Sequence, residues 1–187
     1  MFTSEEQDEL VRVATESIHR KVKGSGFRGK SGQHLEHTAS GNLLEKCGAF
    51  VTIYEHGSLR GCLGLITSDK PLIETVAEMA ARTASDDPRF FPVAPEELNE
   101  LEVEISVLSP LKEISDVSEI ELGRDGLLIE FCGRRGLLLP QVATKNAWDK
   151  ETFLEETCVK AGLPRDQWKS ADSRIFAFTT EIIHTHQ

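Results

Sequence analysis

The 187-residue sequence contains no apolar run that approaches the ~20 residues of a membrane-spanning helix. Basic residues are also scarce: 21 lysines and arginines stand against 31 aspartates and glutamates, which leaves a net charge of −10. A surface this acidic repels phosphate groups, so we expect no nucleic-acid partner and no membrane attachment. The acidic first residues lack the apolar segment of a secretory signal, which predicts a cytoplasmic protein.

Disulfide and zinc patterns are missing as well. The sequence has four cysteines, none of them in a C-x-x-C pair, and each lies in an apolar run: Cys47, Cys62, Cys132 and Cys158. This usage is typical of a reduced chain, so we predict neither a disulfide framework nor a zinc knuckle.

Two other motifs lack the context that would make them sites. Gly24–Ser31 matches the P-loop pattern G-x-x-x-x-G-K-[ST], but it follows an amphipathic helix rather than a buried strand. We therefore interpret it as part of a basic surface loop, Gly24–Asn42, to which the sequence assigns no function. A metalloprotease-type metal site needs H-E-x-x-H, which two histidine pairs lack: His34 with His37, and His184 with His186. We predict no metal site.

Hydrophobic periodicity predicts the elements and their order. A helix is expected over 4–23, capped by Ser4 and Gln7. Two β-β-α-β halves, 43–110 and 120–185, follow within a single domain of residues 1–187. Each half is a hairpin, a helix and a third strand, and the second hairpin is predicted to turn at Gly133–Gly136. The predicted fold class is α/β (α+β), with helices packed on mixed sheets.

The most unusual segment is the predicted strand around Cys62. Arg60 and Cys62 are two residues apart and would share a face, where an arginine favours the reactive thiolate. Gly61 and Gly64 weaken a strand, so we expect a ligand or another backbone to approach them closely. The alternative is a core role. A two-residue turn at 56–57 would pair Arg60 with an apolar residue, Ile53, and Cys62 with another, Val51.

Several motifs in the correct order resemble one known family. The hexapeptide L-R-G-C-L-G at 59–64 resembles the L-R-G-C-I-G signature of the AMMECR domain family, with Leu63 in place of the isoleucine. D-P-R-F-F-P at 87–92, L-L-P-Q-V at 138–142, W-D at 148–149 and K-A-G-L at 160–163 agree with it. Bacterial and archaeal members are called AmmeMemoRadiSam system protein A. The resemblance implies an internally duplicated α/β fold and association with a Memo-like dioxygenase and a radical SAM protein. It implies no particular reaction.

Seven residues are candidate site residues. For catalysis we predict Cys62 as nucleophile or metal ligand, Arg60 as the group that holds an anionic substrate, and Asp87 as acid or base. Ligand binding is predicted for residues of this strand and of the loop that follows the next helix: Gly61, Gly64, Arg89 and Phe90. The loop residues have an alternative role as anchors, with Asp87 as a cap and Arg89 in an ion pair.

Two functions remain open from the sequence. The first is an enzyme or enzyme component of unknown substrate and unknown cofactor, with its site around the Arg60–Gly64 strand. The second is a non-catalytic adaptor or a module that binds a small ligand. The second predicts an unreactive Cys62 and an exposed apolar patch near Phe90 and Phe91.

Overall fold

The structure is a computed structural model that describes residues 1–24 and 41–185. The P-loop-like segment beyond Gly24, the pair His34 and His37, and His186 lie outside these residues. The chain forms two compact units, one of Met1–Leu108 with Glu181–Gln187 and one of Ser109–Thr180. Among the described residues, no helix combines the length and the apolarity needed to cross a membrane.

Helix α1 (Ser4–Lys23) begins at a reciprocal cap. The Thr3 hydroxyl accepts a hydrogen bond from the Glu6 backbone N–H, and the Glu6 carboxylate accepts one from the Thr3 N–H. The bounds agree with the predicted helix, whereas the predicted capping pair was wrong by one residue. Thr3 has the extended backbone that a cap requires, and Ser4 is already helical.

The first unit contains a three-stranded antiparallel arrangement. Strand β1 (Ala49–Glu55) lies between β2 (Ser58–Leu65) and β3 (Leu101–Leu108), so β2 is an edge strand. Alternate residues of β1 are buried completely and face the core that α1 and α2 (Leu72–Asp86) complete: Ala49, Val51 and Ile53. This alternation fixes which face of each strand is available for a site.

The second unit repeats the same order with additions. Its elements are β4 (Lys112–Ile114), β5 (Asp125–Phe131), β6 (Arg134–Leu138), α3 (Pro140–Lys145), α4 (Lys150–Lys160) and β7 (Arg174–His184). The antiparallel strand order is β4-β7-β5-β6, and from Glu181 onward β7 belongs to the first unit. The core of this unit contains Leu127, Phe153 and Leu154.

The predicted α/β class, the β-β-α-β order and the helices packed on sheets are confirmed. Mixed sheets were also expected, but the strand pairs within each unit are antiparallel. The antiparallel pairing results from the way the helical connection crosses over the middle strand. The helix connects β2 to β3, two strands of the same direction, and β1 lies between them. In the second unit, β5 separates β6 from β7 in the same way.

The hairpins of the two units turn alike. His56 and Gly57 both have positive φ, as do Cys132 and Gly133, which is the geometry of a two-residue turn that matches strand twist. The predicted second turn at Gly133–Gly136 was therefore too long. Gly136 is a strand residue that pairs with Ile129, and a larger residue would not fit there because its Cβ would lie 2.3 Å from the Ala161 backbone nitrogen.

Candidate functional site

A β-bulge at Arg60 sets the geometry of the site. Leu59 lies opposite Tyr54 and Gly61 opposite Ile53, which leaves Arg60 without a cross-strand partner. The extra residue shifts the register by one. Cys62 therefore pairs with Thr52, and the predicted pairs with Ile53 and Val51 were wrong. Cys62 shares the face of Thr52 rather than that of the buried Val51, and it is half-buried.

Arg60 holds the loop that precedes β3. Its Nε and Nη2 donate to the two carboxylate oxygens of Glu97 at 2.6 and 3.1 Å. Nη1 donates to the Phe91 carbonyl at 2.9 Å, and Nη2 also donates to the Pro92 carbonyl at 3.3 Å. The hydrogen bond from Arg60 lowers the pKa of Glu97, so the pair stays ionised. A guanidinium used in this way has little capacity left for a substrate anion.

Asp87 and Arg89 hold the peptide groups of Cys62. Asp87 Oδ2 accepts from the Cys62 backbone N–H at 2.9 Å, and Arg89 Nη2 donates to the Cys62 carbonyl at 3.2 Å. The two side chains also pair with each other, at 2.7 Å from Arg89 Nη2 to Asp87 Oδ2 and 2.9 Å from Nε to Oδ1. We call this arrangement the Asp87–Arg89 clamp. It is the ion pair expected under the anchoring alternative, and it reaches the edge strand as well.

Asp87 is ionised in this environment. Its side chain is almost fully buried, and burial alone would raise the pKa. The hydrogen bond from the Arg89 side chain outweighs burial, and with the Cys62 and Arg89 backbone N–H groups it holds the pKa of Asp87 well below its usual range. A carboxylate that accepts four hydrogen bonds positions its neighbours and is poorly suited to exchange protons near neutral pH.

Two threonines that sequence reasoning missed complete the surroundings of Cys62. The Thr52 hydroxyl donates to the Cys62 sulfur at 3.2 Å. The buried Thr83 hydroxyl of α2 accepts from the Leu63 N–H at 3.2 Å and donates to the Val51 carbonyl at 3.1 Å. Thr83 thus bridges β1 and β2 next to the bulge. Its place in the buried stripe of α2, where the neighbours are apolar, was the available signal.

Packing accounts for both glycines of the hexapeptide. A Cβ at Gly61 would lie 3.0 Å from the carbonyl oxygen and from the methyl group of Thr83. A Cβ at Gly64 would lie 2.4 Å from the Phe50 ring. The close approach expected at these positions is therefore made by the protein itself. Their predicted role in ligand binding stays a prediction.

The cation that interacts with Cys62 is Arg89 rather than Arg60. Arg89 Nη2 donates to the Cys62 carbonyl, and the pKa of Arg89 is raised mainly by its hydrogen bond with Asp87. The Arg89 side chain is 55% exposed, and its guanidinium lies 5.5 Å from the centroid of the half-buried Phe90 ring. The next residue, Phe91, is 90% exposed.

The structure brings together three of the candidate residues, Cys62, Asp87 and Arg89, and directs Arg60 to Glu97. Among the residues that the structure describes, no three His, Cys, Asp or Glu side chains converge in a way that could hold a metal ion. His184 lies 3.7 Å from Glu104, without a third such group. The site is therefore a single half-buried thiol on a clamped edge strand.

Comparison with known proteins agrees with the motifs. A profile of the AMMECR1 family matches residues 11–183. This chain belongs to the AMMECR1 family. It is 41% identical over 181 residues to an AMMECR1 relative from Methanothermobacter thermautotrophicus, an alignment that covers 94% of this chain and 92% of that protein. Protein TK0174 of Thermococcus kodakarensis is 49% identical over 150 residues, covering 75% of this chain and 73% of that protein.

A solved structure of an AMMECR1 relative supports the fold. The crystal structure of uncharacterized protein PH0010 from Pyrococcus horikoshii matches with a TM-score of 0.81 at 41% identity. The match covers 92% of this chain and 88% of that chain. The family indicated by the hexapeptide at 59–64 is therefore confirmed.

Proposed function

We propose that this protein is an enzyme or enzyme component in which the Cys62 thiol is the working group. The observation that carries the proposal is the contrast between the backbone of Cys62, which is held firmly, and its side chain, which is not. The Asp87–Arg89 clamp fixes both of its peptide polar groups, while the residue is only half-buried and its sulfur accepts a hydrogen bond only from Thr52 among the described residues. A cysteine that only fills a core does not need an ion pair at its backbone.

The chemistry that fits is that of a positioned nucleophile or a single sulfur ligand. A cation beside a thiol stabilises the thiolate, and Arg89, which is hydrogen-bonded to the Cys62 carbonyl, supplies that cation here. Thr52 can stabilise a thiolate by donating to it. Arg60 and Asp87 were predicted to be catalytic. We now propose that Asp87 positions Cys62 and that Arg60 orders the loop carrying Phe91.

Exchange of each arginine for glutamine tests this assignment. We expect Arg89→Gln to slow alkylation of Cys62 in the folded protein about fivefold, because it removes a charge interaction worth about 1 kcal/mol. Arg60→Gln, the matched control, should leave the Cys62 rate unchanged. Rates are read by peptide mass spectrometry after iodoacetamide treatment. The half-buried Cys47, which belongs to the same unit as both arginines, serves as an internal check that neither variant unfolds. Equal rates in the wild type and Arg89→Gln would remove the thiolate mechanism.

Family membership also supports a proposal about partners. In the AmmeMemoRadiSam arrangement, the protein would act beside a Memo-like dioxygenase and a radical SAM protein, with a small molecule as the shared substrate. Co-purification of the three proteins expressed together tests this association. Recovery of this chain alone at physiological salt would count against it.

A second candidate function is an adaptor that binds a partner through the loop after α2. The observation that favours it is Phe91, an aromatic side chain 90% exposed beside a carbonyl that Arg60 fixes. Large exposed aromatic side chains are typical of binding surfaces. Phe91→Ala should abolish partner binding if this function is correct and leave Cys62 alkylation unchanged, which distinguishes the two candidates.

A further inference from the structure

The second unit contains a cavity that the Cys62 site does not involve. Its volume is about 330 Å³, which lies in the range of small-molecule sites. The cavity opens at the surface between β4, the turn that follows it, α4 and the start of β7. Its walls are mainly apolar and extend into the core of this unit: Ile114, Val117, Ile120, Leu154, Trp168 and Ile175.

The Trp168 side chain carries a polar group without a partner. Its indole Nε1 is shielded from solvent, and no acceptor among the described residues lies within hydrogen-bonding distance. A buried donor left in this state costs about 1–3 kcal/mol in general, so native proteins rarely keep one without a purpose.

The polar groups at the rim distinguish the kind of ligand. The cavity lining contains one carboxylate, that of Asp116, and its Oδ1 already accepts a hydrogen bond from the Ser118 N–H. Two hydrogen-bond donors remain available to a ligand: the Trp168 indole N–H and the ammonium group of Lys169. The ammonium group lies 5.0 Å from the centroid of the Trp168 ring.

We propose that this cavity binds a small, mostly apolar molecule that ends in a carbonyl or carboxylate oxygen. The apolar body occupies the isoleucine- and leucine-lined interior, and the oxygen accepts from the Trp168 indole N–H beside Lys169. Because the N–H is shielded from solvent, the indole must turn slightly to meet the oxygen, and binding will therefore perturb its resonance.

Nuclear magnetic resonance of the full-length protein tests the proposal with three probes that share a six-membered apolar ring. The ¹⁵N-labelled protein has two tryptophans, so two indole signals are expected, and Trp168→Phe assigns them. Cyclohexanecarboxylate and cyclohexanone should shift the Trp168 indole signal saturably. Cyclohexylmethylamine has the same ring with a cationic donor in place of the acceptor, and it should not.

Two variants separate the contributions of the donors, with binding followed through the backbone amides of Ser115 and Val117. Trp168→Phe keeps an aromatic ring but loses the N–H, and it should weaken both acceptor probes about fivefold. Lys169→Gln should weaken only the carboxylate, about threefold, and so distinguishes a carboxylate ligand from a neutral carbonyl ligand. The absence of any saturable shift, a shift confined to Trp148, or equal binding of the amine would each overturn the proposal.

Discussion

The Asp87–Arg89 clamp predicts a specific loss of stability in Asp87→Asn. The substitution keeps the size of the side chain but replaces one acceptor oxygen with an NH2 group, which then faces the donors of Cys62 or Arg89. A hydrogen bond to a charged group contributes about 1.5–3 kcal/mol, and the Cys62 N–H loses one. Arg89 is 55% exposed and can return to water, so its share is at most about 1 kcal/mol. We expect a total loss of about 1.5–4 kcal/mol in the free energy of unfolding.

Urea unfolding followed by far-ultraviolet circular dichroism measures this loss. Tryptophan fluorescence is unsuitable, because Trp148 and Trp168 both belong to the second unit whereas Asp87 belongs to the first. The matched control is Asp86→Asn. This neighbouring aspartate is exposed and accepts a hydrogen bond from the Ser85 hydroxyl of its own helix, so a much smaller change is expected.

The pH dependence of the stability lost in Asp87→Asn gives a second test of the clamp. The folded pKa of Asp87 lies below its unfolded value, which is about 3.9 for an unperturbed aspartate. The stabilisation by its carboxylate is therefore fully present above about pH 5 and decreases as the pH falls through and below the unfolded pKa. The difference in the free energy of unfolding between the wild type and Asp87→Asn should therefore become smaller as the pH falls from about 5 to about 3. A loss below about 0.5 kcal/mol, or a difference independent of pH, would refute the clamp.

Two further substitutions test the packing around the bulge, both by urea unfolding. Thr83→Val keeps the shape of the side chain but leaves the Leu63 N–H and the Val51 carbonyl without partners, and we expect a loss of about 2–3 kcal/mol. Gly64→Ala places a methyl group against the Phe50 ring, and we expect a loss of about 1–3 kcal/mol. An unchanged midpoint in Thr83→Val would mean that the hydroxyl does not bridge the strands, and an unchanged midpoint in Gly64→Ala would mean that Phe50 moves away freely.

Local sequence patterns were sufficient for the elements. Burial of one strand face and one helix stripe produces periodicities that can be read without the structure, so α1 and the first hairpin were predicted closely. The loop after α2 was also predictable in part, since the anchoring alternative placed Arg89 in an ion pair, although it assigned Asp87 the role of a cap. The strand directions were missed because element order alone does not show that β1 lies between β2 and β3.

The partners within the site could not be predicted because they depend on long-range contacts. The bulge at Arg60 coincides with the place where Thr83 of α2 approaches Gly61, and a one-residue shift reverses which face each following side chain occupies. Arg60 pairs with Glu97, which lies 37 positions later in the chain, and Arg89 is the cation that is hydrogen-bonded to the Cys62 carbonyl. Spacing along one strand contains no information about such contacts.

The most direct test of the account is the alkylation of the four cysteines in the native wild-type protein near neutral pH, read by peptide mass spectrometry. The account predicts that the half-buried Cys62 reacts faster than the exposed Cys132 and the half-buried Cys47, whose pKa burial raises. It also predicts that Cys62 loses this advantage when the protein is unfolded in urea. If Cys62 reacts more slowly than Cys132 in the folded protein, the thiol is not the working group, and the clamp serves only to hold the edge strand.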